Sequence, residues 1–445
     1  MPSKQPVIAP MRTESALDLE QRTRRRIAFR LLPFLWLLYV VAFLDRVNVA
    51  YAALEMTRDL RFSDKVIGLG AGIFFIGYVV LEIPGALIVE RWSARRWIAR
   101  IMISWGAITI LVGFIQTAHQ FYAVRFLLGA AEAGFFPGVI VYLTHWFCRR
   151  DRAKAVAVFM AAIPLSSIVG SPLAGKILGI HWFGLAGWRW LFILEGIPAV
   201  VLGVVTLFFL TDWPHQASWL NSDERQWIAR ELERESQARP TQWTISQALR
   251  HPNVILLTLI YFLGTSGLYG FTIWLPTMLK RASGLSNWQV TLLVLLPYIA
   301  ALAATVANGW HSDRKQERRW HTSLPLFIGS LALFCAIRFS SHLGVELAFF
   351  TVFAACVHGY QPCFWSLPTA MLGESAAAAS IGLINSVGNL GGFAGPFIVG
   401  YLSTRTGSFT SALLLLLVDL FVAGILVLCL RGIHDRVPSL QTHIA

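Results

Sequence analysis

The sequence predicts an all-α membrane protein, with twelve transmembrane helices in two pseudo-symmetric six-helix bundles. Three observations carry that reading. The 445 residues are 56% hydrophobic and only 14% charged, whereas soluble chains carry roughly a quarter charged residues. The apolar residues fall in a dozen continuous runs near the ~20 residues a helix needs to cross a bilayer. The two halves of the chain also repeat one another. A surface this apolar calls for lipid, where backbone polar groups find partners only within a helix or a closed barrel. Continuous rather than alternating apolar runs exclude the barrel.

Residues 1–27 form a polar tail carrying Arg22, Arg24, Arg25 and Arg26. The tail lacks the short apolar core and small-residue cleavage site of a signal peptide, so it is expected to be retained. The first bundle, 28–210, takes spans at 28–52, 66–90, 98–118, 121–147, 153–176 and 188–210. Residues 211–252 are the one long polar stretch. They open with Thr211-Asp212-Trp213-Pro214, continue as a mixed-charge amphipathic helix, and end in a second amphipathic piece near Thr244–Arg250. This is a linker on or near the membrane surface. The second bundle, 253–430, takes spans at 253–279, 289–310, 321–341, 345–371, 379–402 and 408–430, and a tail of 431–445 follows.

Charge sets the expected orientation. Arg91, Arg95, Arg96 and Arg100 follow the second span. Arg149, Arg150, Arg152 and Lys154 lie between the fourth and fifth. Arg314, Lys315, Arg318 and Arg319 lie between the eighth and ninth. The opposite set of loops is poorer, and the positive-inside rule then places both termini in the cytoplasm. The connection after the tenth span carries no Lys or Arg and does not reverse the sum. This distribution also accounts for the net charge of +13 without nucleic acid. The five cysteines show no metal spacing or disulfide framework.

The repeat is specific. Glu90-Arg91-Trp92-Ser93-Ala94-Arg95-Arg96-Trp97 and Asp313-Arg314-Lys315-Gln316-Glu317-Arg318-Arg319-Trp320 share the form acid-Arg-x-x-x-Arg-Arg-Trp, 223 positions apart. Pro172 with Gly175 in the fifth span matches Pro396 with Gly400 in the eleventh. Repeated bundles are an architecture of secondary transporters. The charged loops (Glu90, Arg91, Arg95 and Arg96; Asp313, Arg314, Arg318 and Arg319) are candidate gates that pair charges across helix ends. The Gly/Pro segments permit close approach and bending.

Over nearly the whole chain these features resemble the major facilitator superfamily, with Glu90 where Asp is commoner. Three segments resemble, more narrowly, the anion:cation symporter family: Asp45-Arg46-Val47-Asn48, Arg125 through Gly134 with Pro137-Gly138, and Asn385 through Gly392. The resemblance implies proton-coupled import of an organic anion, a carboxylate such as a sugar acid, tartrate or an aromatic acid. It implies a monomer in a bacterial inner membrane. It gives Asp45 and Glu132 as proton sites, Arg46 as a substrate contact, and Tyr78 and Asn389 as cavity residues.

The residues support that chemistry independently. An ionisable group within a span costs about 2.5–3.5 kcal/mol on insertion scales and marks a functional site by default. Helix rise puts Arg46 and Arg125 about 9 and 6 Å below the same boundary, so they can share one layer. Glu132 follows Arg125 by two turns on one face. Guanidinium presents a planar fork to a carboxylate. A buried acid beside it couples protonation to occupancy of that fork. Permanent structural salt bridges are the competing reading for all four groups.

Asn385, Trp365 and Ser366 are further candidate contacts; Asn385 and Asn389, one turn apart on one face, either hydrogen-bond substrate or bridge helices. His358 is either a third proton site or a satisfied interior histidine. Glu82 and Glu195 read as structural, and Asp419 has no named partner. No nucleophile–base pair, P-loop, dinucleotide or metal motif appears, so the expectation is neither an enzyme nor an ATP-driven pump, with no cofactor or metal. The expected partners are a small organic anion, protons and membrane lipid. An exporter or uniporter of another metabolite or drug, and a non-transporting membrane sensor, stand as alternatives.

Overall fold

A computed structural model describes residues 14–91, 93–237 and 250–430. The second amphipathic piece of the linker lies outside the described residues apart from Arg250, and the C-terminal tail of 431–445 lies outside them altogether.

The helices follow the apolar runs. They are α1 (Glu14–Asp59), α2 (Asp64–Arg91) and α3 (Ala94–Val112), then α4 (Ala118–Glu132) with α5 (Phe135–Trp146) as a broken fourth span. Next come α6 (Arg149–Met160) with α7 (Ala162–Ile177), then α8 (Gly187–Phe209) and the linker helix α9 (Ser222–Gln237). The second half holds α10 (Pro252–Ser283), α11 (Asn287–Leu293) with α12 (Leu295–Lys315), α13 (Arg319–Arg338) and α14 (Leu343–Gly359). It ends with α15 (Gln361–Gly388), α16 (Gly391–Thr406) and α17 (Thr410–Cys429). Capping boxes at Thr117–Gln120 and Ser286–Gln289 start the fourth and eighth spans.

Among the described residues, ten helical stretches are long and apolar enough to cross a membrane. The third and eleventh expected spans are the two left over. α3 opens with Arg95, Arg96 and Arg100, and the eleventh is interrupted between α15 and α16. The tenth and eleventh spans are nonetheless antiparallel. Phe364 stacks on Tyr261, and a Cβ on Gly388 would strike the same ring. A straight helix would separate those two residues by about 36 Å, so the chain doubles back between them.

Packing repeats with an offset of six spans. α3 lies mainly on α8, as α13 lies on α17. α2 lies on α4, as α12 lies on α14. Across the halves, α2 packs on α16, as α7 packs on α11 and α12. The repeated glycines sit at these cross-half contacts: a Cβ on Gly175 would overlap Thr291, and one on Gly400 would overlap the backbone of Asp64.

The halves meet closely at the end away from the described termini. Arg281 donates both Nη groups to Asp64, at 2.5 and 2.7 Å, and Ser403 donates to the same carboxylate at 2.6 Å. The Lys65 amide donates to Thr404 Oγ1 at 2.8 Å, and Asn287 donates to Glu55 at 3.0 Å.

At the other end, α1 runs about 69 Å from Glu14 to Asp59, more than twice the ~30 Å hydrocarbon core. Its projecting turns bind the linker. Arg22 and Arg26 pair with Glu224 at 3.4 and 3.0 Å, and Trp219 stacks on Trp146 at 5.2 Å.

Candidate functional site

Asp45 and Arg46 are neighbours on α1, so their side chains diverge by about 100°. Asp45 turns into the first bundle and is 1% exposed. There it accepts the indole N–H of Trp105 and, at 3.4 Å, the Asn48 amide. Asn48 in turn neighbours Glu195 of α8. Arg46 turns the other way, and its Nη2 donates to Glu132 Oε1. Its guanidinium lies 5.3 Å from the ring centres of Phe43 and Tyr78 and 5.6 Å from that of Phe74. The Arg46 side chain is 14% exposed, against 2% for Glu132.

Arg125 is buried at 1% exposure. Its Nε donates to the Gly70 carbonyl at 3.2 Å, and its guanidinium stands 4.9 Å over Phe74. One aromatic ring therefore serves both arginines, a favourable quadrupole contact for cations withdrawn from water. Arg125 Nη1 and Arg46 Nε are buried donors without a hydrogen-bond partner among the described residues. Such donors are costly in an apolar interior unless something accepts from them.

Local sequence places Glu132. It ends α4, and the following Ala133-Gly134 breaks the span, Gly134 adopting φ 85°. That left-handed turn suits glycine because it has no Cβ to clash.

The second half reaches this layer through Tyr269, 4.5 Å from Phe75, and through Gly392, whose missing Cβ leaves room for the same ring. Asn385 donates to Glu82 Oε1 at 2.6 Å, one helical turn from Tyr78. The remaining candidates are dispersed. Trp365 packs edge-on against Tyr261 at 4.8 Å, and Ser366 donates to the Pro362 carbonyl of its own helix at 2.8 Å. Asn389 is half-buried at the end of α15. The structure thus gathers Arg46, Arg125, Tyr78 and Glu132 around Phe74, with Asp45 one helix face away. Asn385 joins through Glu82, while Trp365 and Ser366 sit around Tyr261.

Residues 35–396 match the family model described as the Major Facilitator Superfamily. The chain belongs to that superfamily. It is 48% identical over 412 residues to a putative tartrate transporter of Agrobacterium vitis, covering 92% of this chain and 93% of that one. It is 39% identical over 400 residues to a quinolone resistance transporter of Acinetobacter baumannii, covering 89% and 92%. Among solved structures it resembles an inward-facing, occupied bacterial homolog of the human lysosomal transporter Spinster. That match has a TM-score of 0.73 at 18% identity and covers 92% of this chain and 98% of that one, a likeness of fold. The protein is a multi-pass membrane transporter with the all-α facilitator fold, and not an enzyme.

Of the transporter's two charged loops, the first reaches the residues after the sixth span and the second bonds within itself. Arg95 and Ser93 hold Asp212 at the end of the sixth span: the Arg95 amide donates at 2.9 Å and Ser93 Oγ at 2.7 Å. Arg318 binds Asp313 at 2.5 Å and Ser312 at 2.9 Å. Arg314 stands over Trp310 at 5.5 Å. Arg96 is exposed, and Arg319 leaves Nε buried without a partner among the described residues. The side chains of Glu90 and Arg91 lie outside the described set. Elsewhere, Asp419 accepts from Ser266 at 2.8 Å, and His358 Nδ1 contacts the Ala354 carbonyl at 2.9 Å.

Sequence reading missed several neighbours. Trp105 caps Asp45, Tyr39 and Tyr269 lie within electrostatic reach of Arg46, and Glu82 bridges the halves. An intramembrane acid such as Glu82 was the one signal that could have found its bridge.

Proposed function

We propose that the transporter imports a small organic anion, a carboxylate of the tartrate or sugar-acid class, in symport with protons by rocking one six-helix half against the other. The Arg46–Glu132 pair carries the reading. Arg46 is the most accessible of the four charged groups and is held by an acid that a proton would neutralise. Protonation of Glu132 releases the guanidinium fork, which then takes the substrate carboxylate bidentately. Arg125, with its unpartnered Nη1, supplies positive potential and a second donor in the same layer. Asp45, held by Trp105 and Asn48, is the second proton acceptor. Loss of the proton to the cytoplasm restores the Arg46–Glu132 pair and lets the empty carrier return.

The name of the Agrobacterium relative supports the substrate class. The basic loops favour cytoplasmic termini in a bacterial inner membrane. The transporter works as a monomer, Tyr78, Asn385 and Asn389 line the path, and the acid-Arg-x-x-x-Arg-Arg loops serve as gates.

A second reading, export of a drug, has the name of the Acinetobacter relative in its favour. Energised inside-out and right-side-out vesicles separate the two. Symport gives uncoupler-sensitive accumulation of a radiolabelled hydroxydicarboxylate in right-side-out vesicles, abolished by Asp45→Asn and Glu132→Gln. Accumulation only in inside-out vesicles, or uncoupler-sensitive uptake unchanged in both variants, overturns the proposal.

A further inference from the structure

At the end bearing the described N-terminal residues, α1 leaves the bundle beside α6 and the linker helix, and the three enclose a groove of about 680 Å³. Its floor is apolar, built from Ile27, Leu32, Trp36, Ala155, Val158 and Ile228. Its rim carries cations, and most of the cations on these turns are already committed. Arg22 and Arg26 pair with Glu224, Arg24 is bound bidentately by Asp151, and Arg150 pairs with Glu20. Asp151, the one carboxylate on the groove among the described residues, is therefore neutralised by Arg24. Arg25 and Lys154, both exposed and both on the rim, have no ion pair among the described residues. Arg25 rests 5.4 Å from the ring of Phe29, which is itself 69% exposed. Bare cations above an apolar trough mark the depth of a membrane interface.

We infer that this groove binds an anionic phospholipid of the adjoining leaflet, its phosphate between Arg25 and Lys154 and one acyl chain along Leu32, Trp36 and Val158. The charge pattern selects the occupant. Two unneutralised cations favour an anionic headgroup over a zwitterionic one, and a trough open to the side at the interface fits a chain that remains continuous with the bilayer. A bound lipid would bridge the first and fifth spans, which α1 and α6 also join through the Arg24–Asp151 and Arg150–Glu20 pairs.

The test is thermal unfolding of the full chain, delipidated in neutral detergent and titrated with phosphatidylglycerol or phosphatidylcholine of identical acyl chains. Phosphatidylglycerol should raise the apparent melting temperature saturably, because a ligand of the folded state stabilises it by mass action. Phosphatidylcholine should do much less, and free glycerol phosphate nothing. Arg25→Gln with Lys154→Gln should weaken phosphatidylglycerol binding about 30-fold, each interfacial cation contributing about a factor of five. Val158→Trp, which fills the trough at an exposed position, should weaken it without touching the charges. Equal stabilisation by both lipids, or a preference that survives the double variant, overturns the inference, as does stabilisation by glycerol phosphate alone. If the double variant fails to fold, Lys154→Gln alone decides, with about a fivefold loss expected and no loss overturning the site.

Discussion

Asn385 of the C-terminal half donates its side-chain amide to Glu82 of the N-terminal half at 2.6 Å, with Tyr78 one turn away. Of the two roles open to Asn385, meeting substrate or bridging helices, the structure shows it bridging the halves. Asn385→Asp sets two carboxyls against each other there. It should slow uptake several-fold while leaving substrate affinity, measured calorimetrically, within about threefold. A tenfold loss of affinity, about 1.4 kcal/mol, would make Asn385 a ligand and not a tie.

Glu132→Gln should uncouple occupancy of Arg46 from pH. Anion binding to the variant should be flat over the pH range in which the protein stays folded, whereas the parent should bind more tightly as pH falls and Glu132 gains its proton. Anion should also stabilise the variant more than the parent, because an unpaired buried cation is left waiting for a partner. Calorimetry and thermal unfolding across that range check both.

Arg46→Lys keeps the charge and removes the planar fork. Charge-assisted hydrogen bonds contribute about 1.5–3 kcal/mol, so carboxylate affinity should fall by at least about tenfold. Binding within twofold of the parent would place the substrate elsewhere.

Gly134→Ala forces a Cβ into the left-handed turn that follows Glu132. The expected cost is about 1–2 kcal/mol, read as a lower melting temperature, together with reduced uptake as Glu132 shifts. Gly134→Asn, which tolerates that conformation better, should recover part of both.

Glu317 gives a pH prediction outside the spans. Partial burial would raise its carboxyl. The Trp320 and His321 backbone amides and the His321 ring outweigh that effect and hold it below the ordinary carboxylate range. A lowered folded value contributes stability that is complete above the unfolded value and lost as pH falls through the folded one. Melting temperature should therefore drop on the acid side, below about pH 4.5, and Glu317→Gln should flatten that limb.

Much of this fold was legible because membrane physics leaves few choices. Apolar runs of fixed length dictate helices, and the loop repeat at Glu90 and Asp313 announced two halves before any packing was visible. The same repeat located Gly175 and Gly400, and packing placed both at contacts between the halves. The partner of Arg46 was not legible. Asp45 is its neighbour in sequence and Glu132 is 86 residues away, yet the 100° step of a helix sends Asp45 toward Trp105 and leaves Glu132 opposite the guanidinium. Nor could spacing reveal that one ring, Phe74, would sit beneath both arginines, or that Tyr269 would complete the layer from the other half. Those relations depend on crossing geometry between distant helices, which a linear pattern does not encode.

The docking of α9 on α1 changes how the connection between halves should be counted. With Glu224 gripped by two arginines and Trp219 laid against Trp146, the polar segment through Gln237 is docked on the first half. If the halves rock as proposed, the linker from Leu210 through Gln237 would move with the first half. A fluorophore on α9 would then report the first half's tilt.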